Sequence, residues 1–326
     1  MRYLAWFDDI PENELALSAG GKGAGLCRLT RGGFPVPGGF IVCAEMFKTF
    51  MQLGNLRNDV LSIIDTIDFD SNSDLVTKSE KIRNMIIAAP MPMYMRQQIR
   101  NFYQKLNDEP EPGEKRMQHV AVRSSGTAED LDDASFAGQQ ETYLYIIGTD
   151  DIVQYIKKCW ASLYNDRAIF YRKKKGFDER EIAIAIVVQR MVAPSKSGVM
   201  FTVNPITQDR NTCLIEGSWG LGEAVVSGIV TPDSYTVDKS GKLLDVYVSC
   251  KETMIVRKTG EPGVEERDVP ADQQEAQVLN DKEISELANL AVKLEDYFGK
   301  PQDAEWAIED GQLYLLQSRP ITTLNK

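Results

Sequence analysis

Histidine is almost missing from this sequence: His119 is the only one in 326 residues. A Ser-His-Asp triad, or a metal site built from several imidazoles, would have to use that residue alone. It precedes the apolar run Val120-Ala121-Val122 and has no acidic neighbour, so a structural role is expected. Cysteine is sparse. The five residues Cys27, Cys43, Cys159, Cys213 and Cys250 are odd in number, form no CxxC pair and have apolar or mixed flanks. They are expected to be buried thiols in a reducing, cytoplasmic setting, not disulfides or zinc ligands. A basic excess is also lacking. The chain has 37 Lys and Arg against 48 Asp and Glu, a formal net charge of −11. Proteins that read nucleic acid need positive surface to neutralise phosphates, so nucleic acid is not an expected partner. Any phosphate must be met by a few placed cations. No apolar run approaches the ~18 residues of a membrane span, and Asp8-Asp9 interrupts any signal-peptide core. No membrane partner is expected.

What is present is a globular balance, with 43% hydrophobic and 26% charged residues. At roughly 100–200 residues per domain, the length suggests two domains or one large domain built from lobes. Ser18-Ala19-Gly20-Gly21-Lys22-Gly23-Ala24-Gly25 is expected to open a short helix, Leu26 to Thr30, ended by Gly32-Gly33. A turn and the strand Phe40-Ile41-Val42 follow. Residues 44–108 have helical spacing, and Asn107 to Glu114 is a polar, proline-rich connector. Beyond it come a strand at Val120-Ala121-Val122, a loop from Arg123 to Gln140, a strand from Glu141 to Ile147 and a helix from Asp151 to Lys175. The run Arg172-Lys173-Lys174-Lys175 is expected to be a solvated helix end. Ile182 to Val188 is apolar on both faces and predicts a central strand. Strands near 198–203, 212–216, 234–237 and 243–248, a helix over 281–298 and a hairpin over 304–318 complete the pattern. Helices and strands do not alternate regularly, so the expected class is α+β and multi-lobed. Lobe boundaries are expected at 1–114, 115–192 and 193–326.

Three segments could carry chemistry. The glycine-rich stretch around Lys22 is either a phosphate cradle or a tight turn. As a cradle it would offer close-approaching backbone N–H groups, a helix N-terminus and one full cation. Its spacing is neither a Walker A loop nor a dinucleotide fingerprint. The loop from Arg123 to Gln140 is long for a compact domain, which suggests a lid or binding loop. It supplies Arg123 and small residues able to cover phosphates, the alternative being an ordinary Ω-loop. In the C-terminal hairpin, Asp303 and Glu305 share a face by period two, as do Gln317 and Arg319. Oxygen donors on adjacent strands suit Mg²⁺. Asp310-Gly311 favours a two-residue turn, which would set Glu305 opposite Leu316. An odd loop of three or five residues would set Glu305 opposite Gln317 and Asp303 opposite Arg319. The odd loop is expected, because it alone gathers four polar side chains on one face. Gln189, at the end of the central strand, stands where a purine could reach backbone. Ser218-Trp219-Gly220-Leu221-Gly222-Glu223 is a glycine turn into a short helix.

Taken together these segments resemble the N-terminal nucleotide-binding domain of the phosphoenolpyruvate synthase and pyruvate phosphate dikinase family, which includes rifampicin phosphotransferase. The matching residues are Gly21-Lys22-Gly23, Val122 to Ser125 with Ala134 to Thr142, Ala161 to Ala168, Ser197 to Thr202, Ser218 to Glu223 and Gln317 to Pro320. They occur in family order over nearly the whole chain. The resemblance implies an ATP-grasp fold with ATP in a cleft between lobes. It implies that Lys22, Arg123 and Arg319 contact phosphates and act in catalysis, that Gly138 and Thr142 belong to a phosphate-covering loop and that Gln189 lies beside adenine. It further implies that Glu305 and Gln317 are the magnesium-side residues, with Asp303 a nearby acid. Mg²⁺ is the implied cofactor and ATP the substrate. Family enzymes pass the phosphoryl group to a histidine on a swivelling domain, which hands it to pyruvate or another acceptor. Neither that domain nor the acceptor domain is within these residues. The chain is therefore expected to bind Mg-ATP as an excised domain or split subunit without completing turnover. Rifampicin phosphotransferase and a stand-alone, non-catalytic nucleotide module are the alternatives.

Overall fold

A computed structural model describes residues 2–108, 118–127, 141–322 and 324. They form mixed α and β structure in two compact units. One comprises Met1–Cys27 and Gly38–Met191, the other Arg28–Pro37 and Val192–Lys326. Among the described residues no helix is long and apolar enough to cross a membrane.

The elements of the first unit are β1 (Leu4–Trp6), α1 (Leu15–Arg31, which runs past the division), β2 (Gly39–Val42), α2 (Ala44–Gln52), α3 (Leu56–Asp65), α4 (Asn72–Ala88), α5 (Met93–Asp108), β3 (Val120–Gly126), β4 (Thr142–Ile146), α6 (Thr149–Ser162), α7 (Asp166–Lys175) and β5 (Ile184–Arg190). The strands form one antiparallel sheet in the order β1-β2-β5-β3-β4. The apolar run expected to be central is β5, the middle strand, with Ile184 to Gln189 all buried. Phe40, Val122, Ile186 and Val188 face Phe47, Ile82, Ile99 and Trp160 in one core. At about 25 cal/mol per Å² of apolar surface, this burial is the main favourable contribution to the unit.

Two helical expectations need correction. The helix expected over Asp151–Lys175 is two helices, because Asn165 leaves the helical path and its side chain accepts the Ala168 N–H at 2.7 Å, capping α7. The basic run is only partly solvated. Arg172 is fully buried, and its guanidinium grips Glu179 with Nε–Oε1 2.8 Å and Nη2–Oε2 3.0 Å. The third correction concerns the thiols: four cysteines are buried as expected, but Cys250 is exposed.

The second unit contains β6 (Lys196–Phe201), β7 (Thr212–Trp219), α8 (Glu223–Val226), β8 (Asp233–Asp238), β9 (Leu243–Tyr247), β10 (Thr253–Arg257), β11 (Val264–Asp268), α9 (Asp281–Phe298), β12 (Gln302–Glu309) and β13 (Gln312–Pro320). Six strands form an antiparallel sheet ordered β13-β12-β6-β7-β8-β9, and β10-β11 is a separate hairpin. α9 begins at a capping box in which Asn280 and Glu283 each satisfy the other's backbone N–H, and it ends at Gly299 with φ 65°. Its apolar stripe, Leu287, Ala291 and Leu294, packs on Met200, Ile215, Tyr235, Trp306 and Leu315. That packing leaves the opposite sheet face free to carry polar groups.

Candidate nucleotide site

In the first unit, the glycine-rich stretch lies inside α1 instead of preceding it. The expectation of a helix starting at Leu26 is thereby corrected. The helix is kinked at Gly20, whose φ of 68° and ψ of 178° are not helical, so a helical run restarts at Gly21 with Lys22 in its first turn. The cause is Ser125 of β3. Its Oγ donates to Ala19 O at 2.7 Å and accepts from Gly23 N–H at 3.0 Å. A hydroxyl inserted between carbonyl i and amide i+4 is a recognised source of a helix kink. Only glycine fits at position 20. A Cβ there would meet Ser125 O at 2.3 Å and Ser125 Oγ at 2.5 Å. Lys22 sits in the following turn, with Nζ 3.4 Å from Ser124 O.

Sheet register brings three further expected residues together. Arg123 is paired with Thr142 on β4 and Val187 on β5, and Gln189 is paired with Ala121. Directly opposed residues share a face, so Arg123, Thr142, Gln189 and Ser125 are on one face. Val122 and Val188 are on the other, in the helical core. α1 lies over the Arg123 face, since a Cβ at Gly23 would be 3.1 Å from Ile41 Cδ1, and Ile41 opposes Val187. Ser124 faces the other way and clasps Glu141. Its N–H donates to Glu141 O at 2.9 Å, and its Oγ accepts from Glu141 N–H at 2.9 Å. The strand carrying Thr142 is thus tied to β3 next to Arg123. Gln189 is 3% exposed. The neighbouring amides are committed within the protein: Arg190 N–H to Gly38 O at 2.8 Å and Met191 N–H to His119 O at 2.9 Å. Gly138 lies outside the described residues.

In the second unit, the hairpin has the expected pairing reached by a different route. Asp310-Gly311 makes a two-residue turn, with φ 49° and 77° and Glu309 opposite Gln312. The expected odd loop is therefore wrong. A β-bulge instead leaves Leu316 as an extra residue, so that Trp306 opposes Leu315 while Glu305 opposes Gln317 and Asp303 opposes Arg319. The bulge turns Gln317 onto the Glu305 face. Arg319 donates from Nε to Asp303 Oδ2 at 2.8 Å, on a side chain 70% exposed.

One acid on this face was missed. Glu305 opposes Val199, and Val199 opposes Glu216, so Glu216 shares the face with Glu305 and Asp303. Burial, then the negative charge of Asp303, raises the Glu216 carboxyl above the ordinary glutamate range. The alternation in Thr212 to Trp219 already carried the signal, with Leu214, Glu216 and Ser218 on one side and Cys213, Ile215 and Gly217 on the other. Among the described residues no group of three or more His, Cys, Asp or Glu is gathered as a metal cluster. Glu305 and Gln317 offer one carboxylate and one amide oxygen, a donor set that suits Mg²⁺ completed by water and phosphate.

Residues 16–326 match the family described as pyruvate phosphate dikinase, AMP/ATP-binding domain, and the chain belongs to that family. Over its whole length it is 46% identical to "Probable phosphoenolpyruvate synthase" of Methanocaldococcus jannaschii, covering 27% of that protein. It is 42% identical to the phosphoenolpyruvate synthase of Pyrococcus furiosus, again over the whole chain and 44% of the relative. Rifampicin phosphotransferase of Bacillus cereus is 40% identical over 98% of the chain and 36% of its own length. The chain thus spans about a quarter to under half of these relatives.

Proposed function

We propose that this chain is the Mg-ATP-binding part of a dikinase-type phosphotransferase of ATP-grasp fold, acting in the cytoplasm. The observation that carries the reading is the family match across residues 16–326. In this reading Lys22 and Arg123 meet the phosphates, Thr142 and Gly138 belong to the segment covering them, and Gln189 adjoins adenine. Glu305 and Gln317 would hold Mg²⁺, which when bound supplies positive charge against the phosphate oxygens. Arg319 would meet phosphate by exchanging its partner. Its ion pair with Asp303 is exposed, and such pairs contribute only about 0–1 kcal/mol, so a phosphate oxygen can displace the carboxylate at small cost. Lys22, Arg123 and Arg319 then offset charge on the transferring phosphoryl group, and catalysis is electrostatic. The phosphoryl group passes to a histidine on a separate swivelling domain, with pyruvate as the final acceptor. High identity to two phosphoenolpyruvate synthases over the whole chain supports pyruvate. The 40% identity to rifampicin phosphotransferase supports an antibiotic acceptor as the second reading. Transfer from the chain to a supplied swivelling domain, with pyruvate or rifampicin then offered, separates the two. It also separates both from a non-catalytic nucleotide module.

Calorimetric titration and thermal melting with Mg-ATP test the core of the reading. Saturating Mg-ATP at about 100 times Kd is expected to add about 2.7 kcal/mol of stability by linkage. Lys22→Ala or Arg123→Ala is expected to remove the resulting rise in melting temperature. A wild-type chain that neither binds nor shifts would end it.

A further inference from the structure

We infer that Ser125 is a positioning residue for the nucleotide's phosphates, acting through Lys22. This rests on the nucleotide-binding reading above and assigns a role to a side chain that meets no ligand itself. After the kink, Gly20 occupies the N-cap position of the restarted helix, with Gly21, Lys22 and Gly23 as its first three residues. An N-cap side chain normally supplies an oxygen to the amide two or three residues on. Gly20 has no side chain, and the space its Cβ would need is filled by Ser125 O and Oγ at 2.3 and 2.5 Å. The missing cap is supplied from β3, 105 positions away: Ser125 Oγ accepts the Gly23 N–H at 3.0 Å, the bond an N-cap side chain would make. The same hydroxyl donates its proton to Ala19 O at 2.7 Å. Both broken ends of the helix ladder are therefore satisfied by one side chain from another element.

The consequence falls on Lys22. It lies between the glycine that kinks and the glycine that is capped, and its Nζ reaches Ser124 O at 3.4 Å. Arg123 is two residues before Ser125 on the same face of the same strand, opposite Thr142. One dipeptide, Ser124-Ser125, thus indexes the Lys22 turn against Arg123 from one side of the strand and clasps the Thr142 strand from the other. Removing the Ser125 hydroxyl frees the Lys22 turn while leaving Arg123 and Gln189 in their strands.

The test uses the full chain with Ser125→Ala and Ser125→Thr. It measures titrations with Mg-ATP and with adenosine, and hydrogen exchange at residues 19–25. Ser125→Ala is expected to speed exchange at Gly23 and to weaken Mg-ATP roughly tenfold, within the range of coupling between residues in one network. Adenosine affinity should be unchanged, and Ser125→Thr, which keeps the hydroxyl, should restore Mg-ATP affinity. Equal weakening of both ligands, or an unchanged Mg-ATP affinity, would overturn the inference. Unchanged exchange at Gly23 would do the same. If Ser125→Ala does not fold, Ser125→Cys takes its place with the same readouts, its thiol being the weaker hydrogen-bonding group. A wild-type chain without affinity for Mg-ATP overturns the nucleotide reading and this role with it, whereas normal wild-type binding with the contrary variant results overturns the role alone.

Discussion

Asp233 and Glu216 lie in one sheet and meet the cost of burying a carboxylate in opposite ways. Asp233 is fully buried and surrounded by donors: Lys251 Nζ, Ser249 N–H at 3.0 Å, Tyr235 Oη at 3.1 Å and Val278 N–H at 2.8 Å. Lys251 is fully buried too and also donates to Ser249 O at 2.7 Å, so the buried pair is offset by further hydrogen bonds on both partners. Burial and the neighbouring acid push the Tyr235 hydroxyl well above its usual range, which keeps it a donor. Among the described residues, the causes acting on the Glu216 carboxylate are burial and a negative neighbour, with no such ring of donors. Its neighbour on the face is Asp303, and burial and that charge together raise its pKa. The folded state therefore holds the Glu216 proton more tightly than the unfolded chain does. The stabilising contribution is present below the ordinary glutamate range of about 4.3 and is lost as pH rises through the raised folded value. Glu216→Gln is accordingly expected to melt higher than the wild type at pH 7–8 in ligand-free buffer. The difference should vanish below about pH 4, and melting curves across that range check it. A variant less stable at pH 8 would mean that the carboxylate has a partner worth more than its burial costs.

α1 shows how an element can be specified by a residue far from it. The four glycines of α1, Gly20, Gly21, Gly23 and Gly25, fall within six residues and would normally argue against a helix. The helix forms because Ser125 caps it; the close approach of Ser125 admits nothing larger at Gly20, while at Gly23 a Cβ would fit only tightly, 3.0 Å from Ala19 Cβ and 3.1 Å from Ile41 Cδ1. Gly20→Ala places a side chain where φ is 68° and the nearest backbone oxygen is 2.3 Å away. A side chain held in this glycine-only region (φ 68°, ψ 178°) costs roughly 1–3 kcal/mol and overpacking roughly 1–3 kcal/mol, so a loss of about 2–6 kcal/mol is expected in denaturant unfolding. The same contrast explains what was legible beforehand. β5 was readable because both of its faces are apolar, and α9 because its stripe and capping box are local. The kink in α1 and the bulge at Leu316 were not, because their causes are a serine on another strand and the packing of Leu315 and Trp306 in the core. Asp310-Gly311 did signal its two-residue turn, and the Glu305–Gln317 pairing was right although the loop expected to produce it was not. β11 went unseen because Val264–Asp268 is almost wholly charged and lacks an apolar face.

At the scale of the molecule, each unit has a core of its own. Phe47, Ile82, Trp160 and Val188 belong to one, and Ile215, Leu287, Trp306 and Leu315 to the other. The chain passes between units three times, after Cys27, Pro37 and Met191. Separate cores allow separate cooperative transitions, so a single unfolding free energy need not describe the ligand-free chain. The residues proposed for the nucleotide are divided between the units: Lys22, Arg123, Thr142 and Gln189 belong to the first, and Glu305, Gln317 and Arg319 to the second. A ligand stabilises only the cooperative unit whose folded form it requires. If Mg-ATP needs both sets of residues, it must stabilise both units and link their unfolding. Trp306→Phe provides the means to see this, since it thins the second core alone and lowers that transition in the ligand-free chain. Calorimetry is then expected to show two transitions without ligand that rise and merge with Mg-ATP. On the proposed reading, Lys22→Ala should abolish the rise of both, and so should Glu305→Ala. A rise confined to the first transition, and insensitive to Glu305→Ala, would show that the C-terminal hairpin takes no part in holding the nucleotide.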